Sequence, residues 1–330
     1  MNTNASTDTV APPMVADTQM TLTVTERKVV ADGVVELTLA SPEGAPLPEW
    51  TPGAHLDLIL GPDLVRQYSL CGDPAERGSY RVAVLREPES RGGSVAVHDT
   101  LAVESELATR GPRNNFTLVD ADEYVFVAGG IGITPLVPMI AAAHAQGIPF
   151  RLFYGGRSRS SMAYARELSE RYPGEVTICP QDEVGHLDLP TILGEPRPGL
   201  RVYTCGPGPL LDAVDSYCAT WPSGSVNMER FRAIRPTPDM SDTEFEVELA
   251  LTGVTVSVPA GLSILDVAEA AGAMVVSSCR EGTCGSCETP ILEGTADHRD
   301  SLLTQEEKDA QETMFICVSR SCSERLVLDL

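Results

Sequence analysis

Positive charge is scarce in this chain of 330 residues, which carries 24 Lys and Arg against 47 Asp and Glu. The net charge of −23 argues against a nucleic-acid partner, because phosphate backbones would be repelled. Much of the excess lies after residue 242, where sixteen acidic residues stand against five basic ones. This segment is either a solubilising surface or a docking face for a basic partner, and the sequence leaves both open.

An uninterrupted apolar run long enough to span a membrane is also missing. Residues 124–145 contain no charged side chain, but three glycines and two prolines break the run. A buried strand, a glycine turn and a helix are therefore predicted there instead of a transmembrane helix, and no membrane partner is expected. The first 20 residues have neither a basic region nor an apolar stretch, so we expect no secretory signal and a reducing cytoplasm.

Histidine clusters and a serine nucleophile motif are absent as well. The five histidines show no metal-binding spacing, and the G-x-S-x-G pattern of many hydrolases does not occur. A hydrolase therefore has little support, and no general acid or base is assigned.

Cysteines near the C-terminus form the most informative pattern that is present. Cys279, Cys284 and Cys287 are spaced C-x4-C-x2-C, and Cys317 follows after twenty-nine residues. This spacing predicts the thiolate ligands of a plant-type [2Fe-2S] cluster, with glycines where the loop must bend. Structural zinc and disulfides are less favoured alternatives, because no histidine lies near the loop and no secretory signal is found. The five remaining cysteines are Cys71, Cys179, Cys205, Cys218 and Cys322, and we interpret four of these five as small core residues.

Short alternating segments between Gly and Pro turns fill residues 21–117 and predict an antiparallel barrel. Residues 1–20 are polar, and we expect a disordered tail. The predicted strands are Thr21–Thr25, Val34–Ala40, His55–Leu60, Arg66–Cys71 and Tyr80–Arg86.

Strands and helices alternate over residues 118–231, which predicts a parallel sheet with helices on both faces. The predicted strands and helices are Tyr124–Ala128, Phe150–Tyr154, Met162–Tyr172 (helix), Glu175–Cys179, Leu200–Cys205, Leu210–Thr220 (helix) and Ser225–Glu229. Residues 232–242 contain two prolines and predict a semi-rigid linker. Residues 243–330 follow with predicted strands Phe245–Leu251 and Val254–Val258 and a helix Ile264–Ala271 capped by Ser263. After this helix comes the loop 278–287 with three of the four cysteines, which we call the cysteine loop.

A glycine turn, residues 129–135, separates a buried strand from a helix and predicts a phosphate-binding helix end, with Thr134 as N-cap and Pro135 in the first turn. The third glycine of the G-x-G-x-x-G fingerprint is missing, and the next strand is followed by Arg157 instead of an acid. A purely structural turn stays open at this point.

Two other motifs suit a flavin. Arg66-Gln67-Tyr68-Ser69 lies on a predicted strand, and Arg91-Gly92-Gly93-Ser94 opens a short helix through Asp99. An arginine, an aromatic ring, hydroxyl groups and a glycine-led helix N-terminus are what the phosphate and ring of a flavin require. Each motif alone is weak, since Tyr68 could equally be barrel core.

Together with Cys205-Gly206-Pro207 and Glu229-Arg230-Phe231, these motifs resemble the phthalate dioxygenase reductase branch of the ferredoxin-NADP reductase superfamily, to which vanillate demethylase reductase subunits also belong. The resemblance covers residues 21–330, with six motifs in the family's order. It implies a multidomain protein: an antiparallel β-barrel that binds FMN (21–117), an α/β parallel-sheet NAD-binding domain (118–231) and an α+β β-grasp plant-type ferredoxin domain (243–330).

The resemblance also implies the site residues. The flavin would be held by Arg66, Tyr68, Ser69, Ala83, Val84, Arg91, Gly92, Gly93 and Ser94, with Thr134 near its ring and Phe231 over it. The nicotinamide would lie beside the thiol of Cys205, in a site completed by Gly130, Gly132, Arg157, Gly206 and Pro207. Cys205, Phe231 and Thr134 are thus expected at the point of hydride transfer. Two of them have purely structural alternatives: Cys205 could be a small packing residue at a strand end, and Phe231 could pack at a domain interface.

Two departures from the family concern charge. Many relatives end the second strand of the nucleotide domain with an acid, whereas Arg157-Ser158-Arg159 stands here, so arginines could meet the 2′-phosphate of NADPH. We nevertheless expect NADH, and FMN before FAD. Leu85 stands where some relatives carry Lys, so the charge near that flavin edge differs.

NADH delivers two electrons at once and an iron-sulfur cluster accepts one, so a flavin has to stand between them. We therefore expect an NADH-dependent reductase that passes electrons through FMN and [2Fe-2S] to a separate terminal oxygenase, a Rieske-type aromatic ring-hydroxylating or demethylating enzyme. The alternatives are a reductase for a cytochrome P450 or another acceptor, a self-sufficient NADH oxidase, and a redox-sensing or scaffold protein.

Overall fold

The computed structural model describes residues 18–62, 64–232 and 242–330. Three main sheets follow one another along the chain: six antiparallel strands, five parallel strands and five mixed strands. This architecture confirms the predicted fold class. Most of the predicted tail and of the predicted linker lies outside the described residues.

The first sheet has the strand order β4-β3-β6-β1-β2-β5, and a bridge between Leu70 and Val82 joins the end of β4 to β5. The sheet thereby closes around aliphatic side chains such as Leu37 and Leu56, which are fully buried. Its elements are β1 (Gln19–Ala31), β2 (Val34–Ala40), β3 (His55–Gly61), β4 (Leu64–Ser69), β5 (Ser79–Leu85), α1 (Gly93–Thr100) and β6 (Glu106–Arg113).

Two features of this barrel differ from the predictions. The central strand β6 was not predicted, because its sequence carries Gly111, Pro112 and charged residues that are typical of a turn. Strand β1 begins at Gln19, which pairs with Arg110, so the last two residues of the predicted tail belong to the barrel.

The second sheet has the order β11-β10-β7-β8-β9. Its central strand is buried on both faces: Phe126 packs in one core, and Val125 and Val127 pack in the other. In the described part of the chain, no helix is both long and apolar enough to cross a membrane. The elements are β7 (Glu123–Gly129), α2 (Leu136–Ala145), β8 (Phe150–Gly156), α3 (Ala165–Arg171), β9 (Val176–Pro180), α4 (Gln181–Val184), α5 (Leu189–Leu193), β10 (Leu200–Cys205), α6 (Gly208–Cys218) and β11 (Val226–Glu229).

The glycine turn after β7 corrects one prediction. Residues Gly130–Ile133 already form a turn of 3₁₀ helix, and Thr134 continues in helical conformation at φ −57° and ψ −49°. Its hydroxyl donates to the carbonyl of Ile131 at 3.0 Å, and α2 begins after Pro135 as N-cap. Thr134 as N-cap is therefore wrong, because the glycines start the helical turn before the threonine.

The third sheet has the order β13-β12-β18-β14-β16, with a short pair β15-β17 beside it. Helix α7 buries Ile264 and Leu265 in the core of this part of the chain. Ser263 caps α7 as predicted: its hydroxyl accepts from the Asp266 amide at 3.1 Å, a bond worth about 1 kcal/mol. The elements are β12 (Phe245–Leu249), β13 (Val254–Val258), α7 (Ile264–Ala270), β14 (Glu288–Glu293), β15 (Ala296–Asp297), α8 (Gln305–Ala310), β16 (Thr313–Phe315), β17 (Arg320–Ser321) and β18 (Arg325–Leu328).

Candidate functional site

A cavity of about 620 Å³ opens between the barrel and the parallel sheet. Gly92 does not line it; with a φ of 91° it precedes α1, a conformation that glycine adopts readily. The other residues predicted to hold the flavin do line it: Arg66, Tyr68, Ser69, Ala83, Val84, Arg91, Gly93, Ser94, Thr134 and Phe231.

The N-terminus of α1 and the side chain of Arg66 meet in this cavity. Arg66 donates from Nη2 to the carbonyl of Arg91 at 2.9 Å. A Cβ on Gly93 would stand 2.4 Å from Cγ of Arg66, so glycine is required for the arginine to lie over the helix end. Backbone amides and a guanidinium side by side suit a phosphate group.

Three guanidinium groups gather in the lining: Arg66, Arg91 and Arg232. Burial, together with the charges of Arg66 and Arg232, lowers the pKa of Arg91. Arg91 forms an ion pair with Glu281 of the cysteine loop, and Arg232 pairs with Glu87 at 2.8 Å. Because the three cations repel one another, a bound phosphate would stabilise them, which fits a flavin nucleotide.

Apolar side chains form another part of the lining. Ala83 and Val84 are buried, whereas Phe231 keeps 40% of its surface exposed. Burial raises the pKa of Tyr68 to about 12, so its hydroxyl stays protonated. This combination suits a flat, mainly apolar ring system.

The strand order of the parallel sheet reverses between β7 and β10. In open α/β sheets, ligands bind in the crevice at the C-terminal ends of such a strand pair. The residues predicted for the nicotinamide nucleotide lie at this edge: Gly130 and Gly132 after β7, Arg157 after β8, Cys205 at the end of β10, and Gly206 and Pro207 directly after it.

The turns after β7 and β10 pack without space for side chains. A Cβ on Gly132 would lie 2.3 Å from the carbonyl oxygen of Cys205, and a Cβ on Gly206 would lie 2.9 Å from Cα of Gly129. Both partners are backbone atoms, which cannot swing aside as a side chain does. The glycines are therefore required by this close approach.

Glu229, at the end of β11, connects this edge to the flavin cavity. Its Oε2 lies 3.9 Å from Sγ of Cys205, and the Ser69 side chain also forms a hydrogen bond with it. Burial raises the pKa of Glu229 to about 8 and raises the pKa of Cys205 well above its ordinary value. Both groups are therefore protonated at neutral pH, and Glu229 holds a proton between the two sites.

The cysteine loop folds tightly around its sulfur atoms. Gly282 and Gly285 have φ angles of 68° and 78°, which favour glycine. The Cys279 amide donates to Sγ of Cys284 at 3.4 Å, and the Glu281 amide donates to Sγ of Cys279 at 3.3 Å. Amide groups aimed at sulfur stabilise thiolates and tune the potential of a cluster.

All four predicted ligand cysteines are buried, and hydrogen bonds link their side chains to one another. The thiols of Cys284 and Cys317 donate to Cys279 and lower its pKa, and Cys317 likewise lowers the pKa of Cys287. Thiolates this close require cations between them, and two irons that each take two sulfurs fit this donor set.

The other five cysteines are also free thiols. Cys71 and Cys218 are core residues as predicted, and Cys179 is partly buried. Cys322 is exposed, so its interpretation as a core residue is wrong; it lies in the short turn between β17 and β18.

The cysteine loop lies against the barrel. Asn115 donates to the carbonyl of Cys284 at 2.9 Å. A Cβ on Gly285 would stand 2.8 Å from Nδ2 of Asn115, so glycine permits this approach as well as the turn.

Several lining residues were not predicted. Gln67 and Ile131 lie inside the Arg66–Ser69 motif and the glycine turn 129–135, so these motifs were an available signal. Glu281 had no such signal, because it comes from the cysteine loop, far along the chain. Leu85, which was expected at the flavin edge, lines the cavity too; the residues that were not expected are Gln67, Glu87, Glu89, Ser90, Ile131, Arg232 and Glu281.

Two family models match the chain: an oxidoreductase NAD-binding domain over residues 126–216 and a 2Fe-2S iron-sulfur cluster binding domain over residues 247–322. Phthalate dioxygenase reductase of Burkholderia cepacia is 38% identical over 314 residues, which cover 94% of this chain and 97% of that protein. A crystal structure titled phthalate dioxygenase reductase, "a modular structure for electron transfer from pyridine nucleotides to [2Fe-2S]", matches with a TM-score of 0.69 and 37% identity, covering 94% of this chain and 98% of that one.

A type IV self-sufficient cytochrome P450 monooxygenase matches with a TM-score of 0.88 and 43% identity, over 94% of this chain and 41% of that one. The chain thus spans about two fifths of that P450, whereas it spans nearly all of phthalate dioxygenase reductase. Since the likeness to the reductase extends over almost the full length of both chains, this chain belongs to the phthalate dioxygenase reductase family.

Proposed function

We propose that the protein is an NADH-dependent reductase that passes electrons from NADH through FMN to a [2Fe-2S] cluster and on to a separate terminal oxygenase. One observation carries this proposal: residues from all three sheets or their loops line a single cavity. Arg66 comes from the barrel, Thr134 from the turn after β7, and Glu281 from the cysteine loop. A relay between a two-electron donor and a one-electron acceptor requires this proximity.

The flavin residues divide by chemistry. Arg66, Arg91 and the N-terminus of α1 would bind the phosphate, with Gly92 and Gly93 giving the backbone room. Ser94 accepts from the Glu87 amide at 3.1 Å and so orders the loop beside them. The ring would be held by Tyr68, Ser69, Ala83, Val84, Thr134 and Phe231.

A bound flavin would supply the chemistry that links a hydride donor to a one-electron acceptor. Gly132 and Gly206 let the turns after β7 and β10 pack together at the sheet edge, where Gly130 and Pro207 would also border the nicotinamide. Cys205 and Glu229 present uncharged groups there, and the Cys205 thiol and the Ser69 side chain both donate hydrogen bonds to the Glu229 carboxyl group. The Thr134 hydroxyl is bonded to the Ile131 carbonyl, so Thr134 serves to position and not to transfer a proton.

The cluster would be held by Cys279, Cys284, Cys287 and Cys317, whose sulfurs meet in a buried loop. The amide of Glu281 would stabilise negative charge on the sulfur of Cys279.

An ion pair after β8 favours NADH over NADPH. Nε and Nη2 of Arg159 donate to the two carboxylate oxygens of Glu183 at 3.2 and 2.7 Å, and Asp182 adds a second negative charge nearby. This exposed ion pair draws Arg159 away from a 2′-phosphate only weakly, and the two acids would repel such a phosphate. Arg157 is exposed beside them and would contact the nucleotide.

We propose that the electron acceptor is a Rieske-type aromatic oxygenase. A basic patch on that oxygenase would bind the acidic part of this chain that follows residue 242. The match to a self-sufficient P450 favours a cytochrome P450 as the second candidate.

We also propose functional units at 21–117, 118–231 and 243–330, joined by 232–242, with the barrel unit extended to Gln19. A cytoplasmic location is proposed because all nine cysteines are free thiols.

The test uses full-length protein loaded with flavin and cluster. We expect NADH, and NADPH much less, to reduce the protein and to drive cytochrome c reduction, with aromatic substrates untouched unless a Rieske oxygenase is added. Turnover with a P450 but not with Rieske oxygenases would favour the second candidate. Oxidation of an aromatic substrate by this chain alone would contradict the proposal.

A further inference from the structure

A closed triangle of hydrogen bonds joins the barrel to the cysteine loop. Asp57 of β3 is 0% exposed, and its Oδ2 accepts from the Ser278 hydroxyl at 2.6 Å. Its Oδ1 accepts from the Gln67 amide at 2.8 Å and from Nη2 of Arg113 at 2.5 Å. The same Gln67 amide donates to the Ser278 hydroxyl at 2.9 Å, so the serine uses its donor and an acceptor position at once.

Two corners of this triangle adjoin the redox sites. Gln67 lies on β4 between Arg66 and Tyr68, which line the flavin cavity. Ser278 directly precedes Cys279. The contact therefore ties the strand that carries flavin residues to the loop that carries cluster ligands, across 211 positions of sequence.

In this contact between the barrel and the cysteine loop, Ser278 contributes a partly buried side chain whose replacement would remove the hydrogen bonds to Asp57 and Gln67. The hydrogen bonds from Arg110 to Ser277 at 3.4 Å and from Asn115 to Cys284 reach backbone carbonyls, which any sequence offers. The ion pair of Arg91 and Glu281 is half exposed on the arginine and is weakened by water. A buried carboxylate, by contrast, holds its partners firmly, because an unpaired one is costly.

We propose that Asp57 is a positioning residue for electron transfer: by binding Gln67 and Ser278 together, it fixes the separation of the cysteine loop from the flavin cavity. This inference rests on the proposed function. Because electron transfer slows as the two redox sites move apart, loosening this contact is expected to slow transfer from flavin to cluster severalfold.

Ser278→Ala tests the inference in full-length protein that holds flavin and cluster. Ser277→Ala is the matched control, because the Ser277 hydroxyl donates to Glu269 within the C-terminal sheet region and its backbone carbonyl is retained. Stopped-flow spectroscopy separates reduction of the flavin by NADH from the later reduction of the cluster. We expect the second step alone to slow in Ser278→Ala, with an unchanged cluster spectrum, normal behaviour of Ser277→Ala and recovery in Ser278→Thr.

Equal transfer rates in the wild type and Ser278→Ala would overturn the proposal, and so would equal slowing by Ser277→Ala. If Ser278→Ala does not retain the cluster, Asp57→Asn is used instead, because this change lies in the barrel and not beside a cluster ligand. Asp57→Asn that holds flavin and cluster should reduce its cluster more slowly than the wild type does. A normal rate of cluster reduction in this variant would overturn the role of Asp57. A wild type that never reduces its cluster would instead contradict the proposed function.

Discussion

Replacing Gly132 by alanine is expected to damage the nicotinamide site while sparing flavin and cluster. The new Cβ would stand 2.3 Å from the carbonyl oxygen of Cys205, 2.4 Å from its carbon and 2.6 Å from the nitrogen of Gly206. Since Cβ atoms essentially never approach other atoms within 3.0 Å, the turn after β10 would have to move by at least about 0.7 Å.

That movement is costly because all three atoms belong to the backbone. The turn is also confined by Gly129, to which Gly206 already lies close. Overpacking of this kind costs about 1–3 kcal/mol of stability. Displacing a positioning group by nearly 1 Å can cost about 10²-fold in rate, so we expect kcat/KM for NADH to fall by about 10- to 100-fold.

The assay is stopped-flow reduction of the bound flavin by NADH at several NADH concentrations. Gly208→Ala is the control: it lies in the same turn, a Cβ there meets nothing within 4 Å, and alanine is favoured at the start of α6. Gly132→Ala should retain flavin and cluster at wild-type content. Wild-type kcat/KM in Gly132→Ala, or an equal loss in Gly208→Ala, would refute the reasoning.

Three other predictions concern the cluster, the pH dependence and the choice of nucleotide. Cys284→Ser is expected to abolish cytochrome c reduction while NADH still reduces the flavin; loss of both reactions would mean that the loop is needed for folding. Glu229 keeps its proton up to a pH of about 8 against an ordinary pKa of 4.5, so the wild type should lose stability as pH rises through that window, by at most about 5 kcal/mol. In calorimetry, the melting temperature of Glu229→Gln should therefore rise relative to that of the wild type as the pH increases from 5 to 9. A difference between the two melting temperatures that does not change with pH would place the proton on another group. Glu183→Gln is expected to free Arg159 and to raise kcat/KM for NADPH relative to NADH severalfold; an unchanged ratio would show that Arg159 does not meet the nucleotide.

Strands whose pattern is complete within the segment could be predicted from the sequence. The bounds of Val34–Ala40, Leu200–Cys205 and Val254–Val258 coincide with those in the structure, because alternation or continuous burial begins and ends with each strand. Strand β6 could not be predicted, since pairing with β3 and β1 on both sides overrides its poor strand composition.

Some residues of the site could likewise be predicted from the sequence, and others could not. Residues of one motif, such as Arg66 and Ser69, share a strand, so recognising the motif identifies part of the cavity lining. The meeting of Asp57 with Ser278 and the presence of Glu281 in the cavity depend on how separate parts of the chain dock, and no local pattern encodes docking. The wrong N-cap at Thr134 has a local cause, a glycine turn that is itself helical.

The close approach of Asn115 to Gly285 limits how the C-terminal part of this protein can be exchanged. A side chain at position 285 would push aside the Asn115 amide that donates to the Cys284 carbonyl, and the turn, with a φ of 78°, favours glycine as well. A ferredoxin grafted in its place with alanine at the equivalent position is therefore expected to lose this hydrogen bond to the barrel. In this reductase the electron carrier is therefore fitted to its donor, and it is not a freely interchangeable cassette.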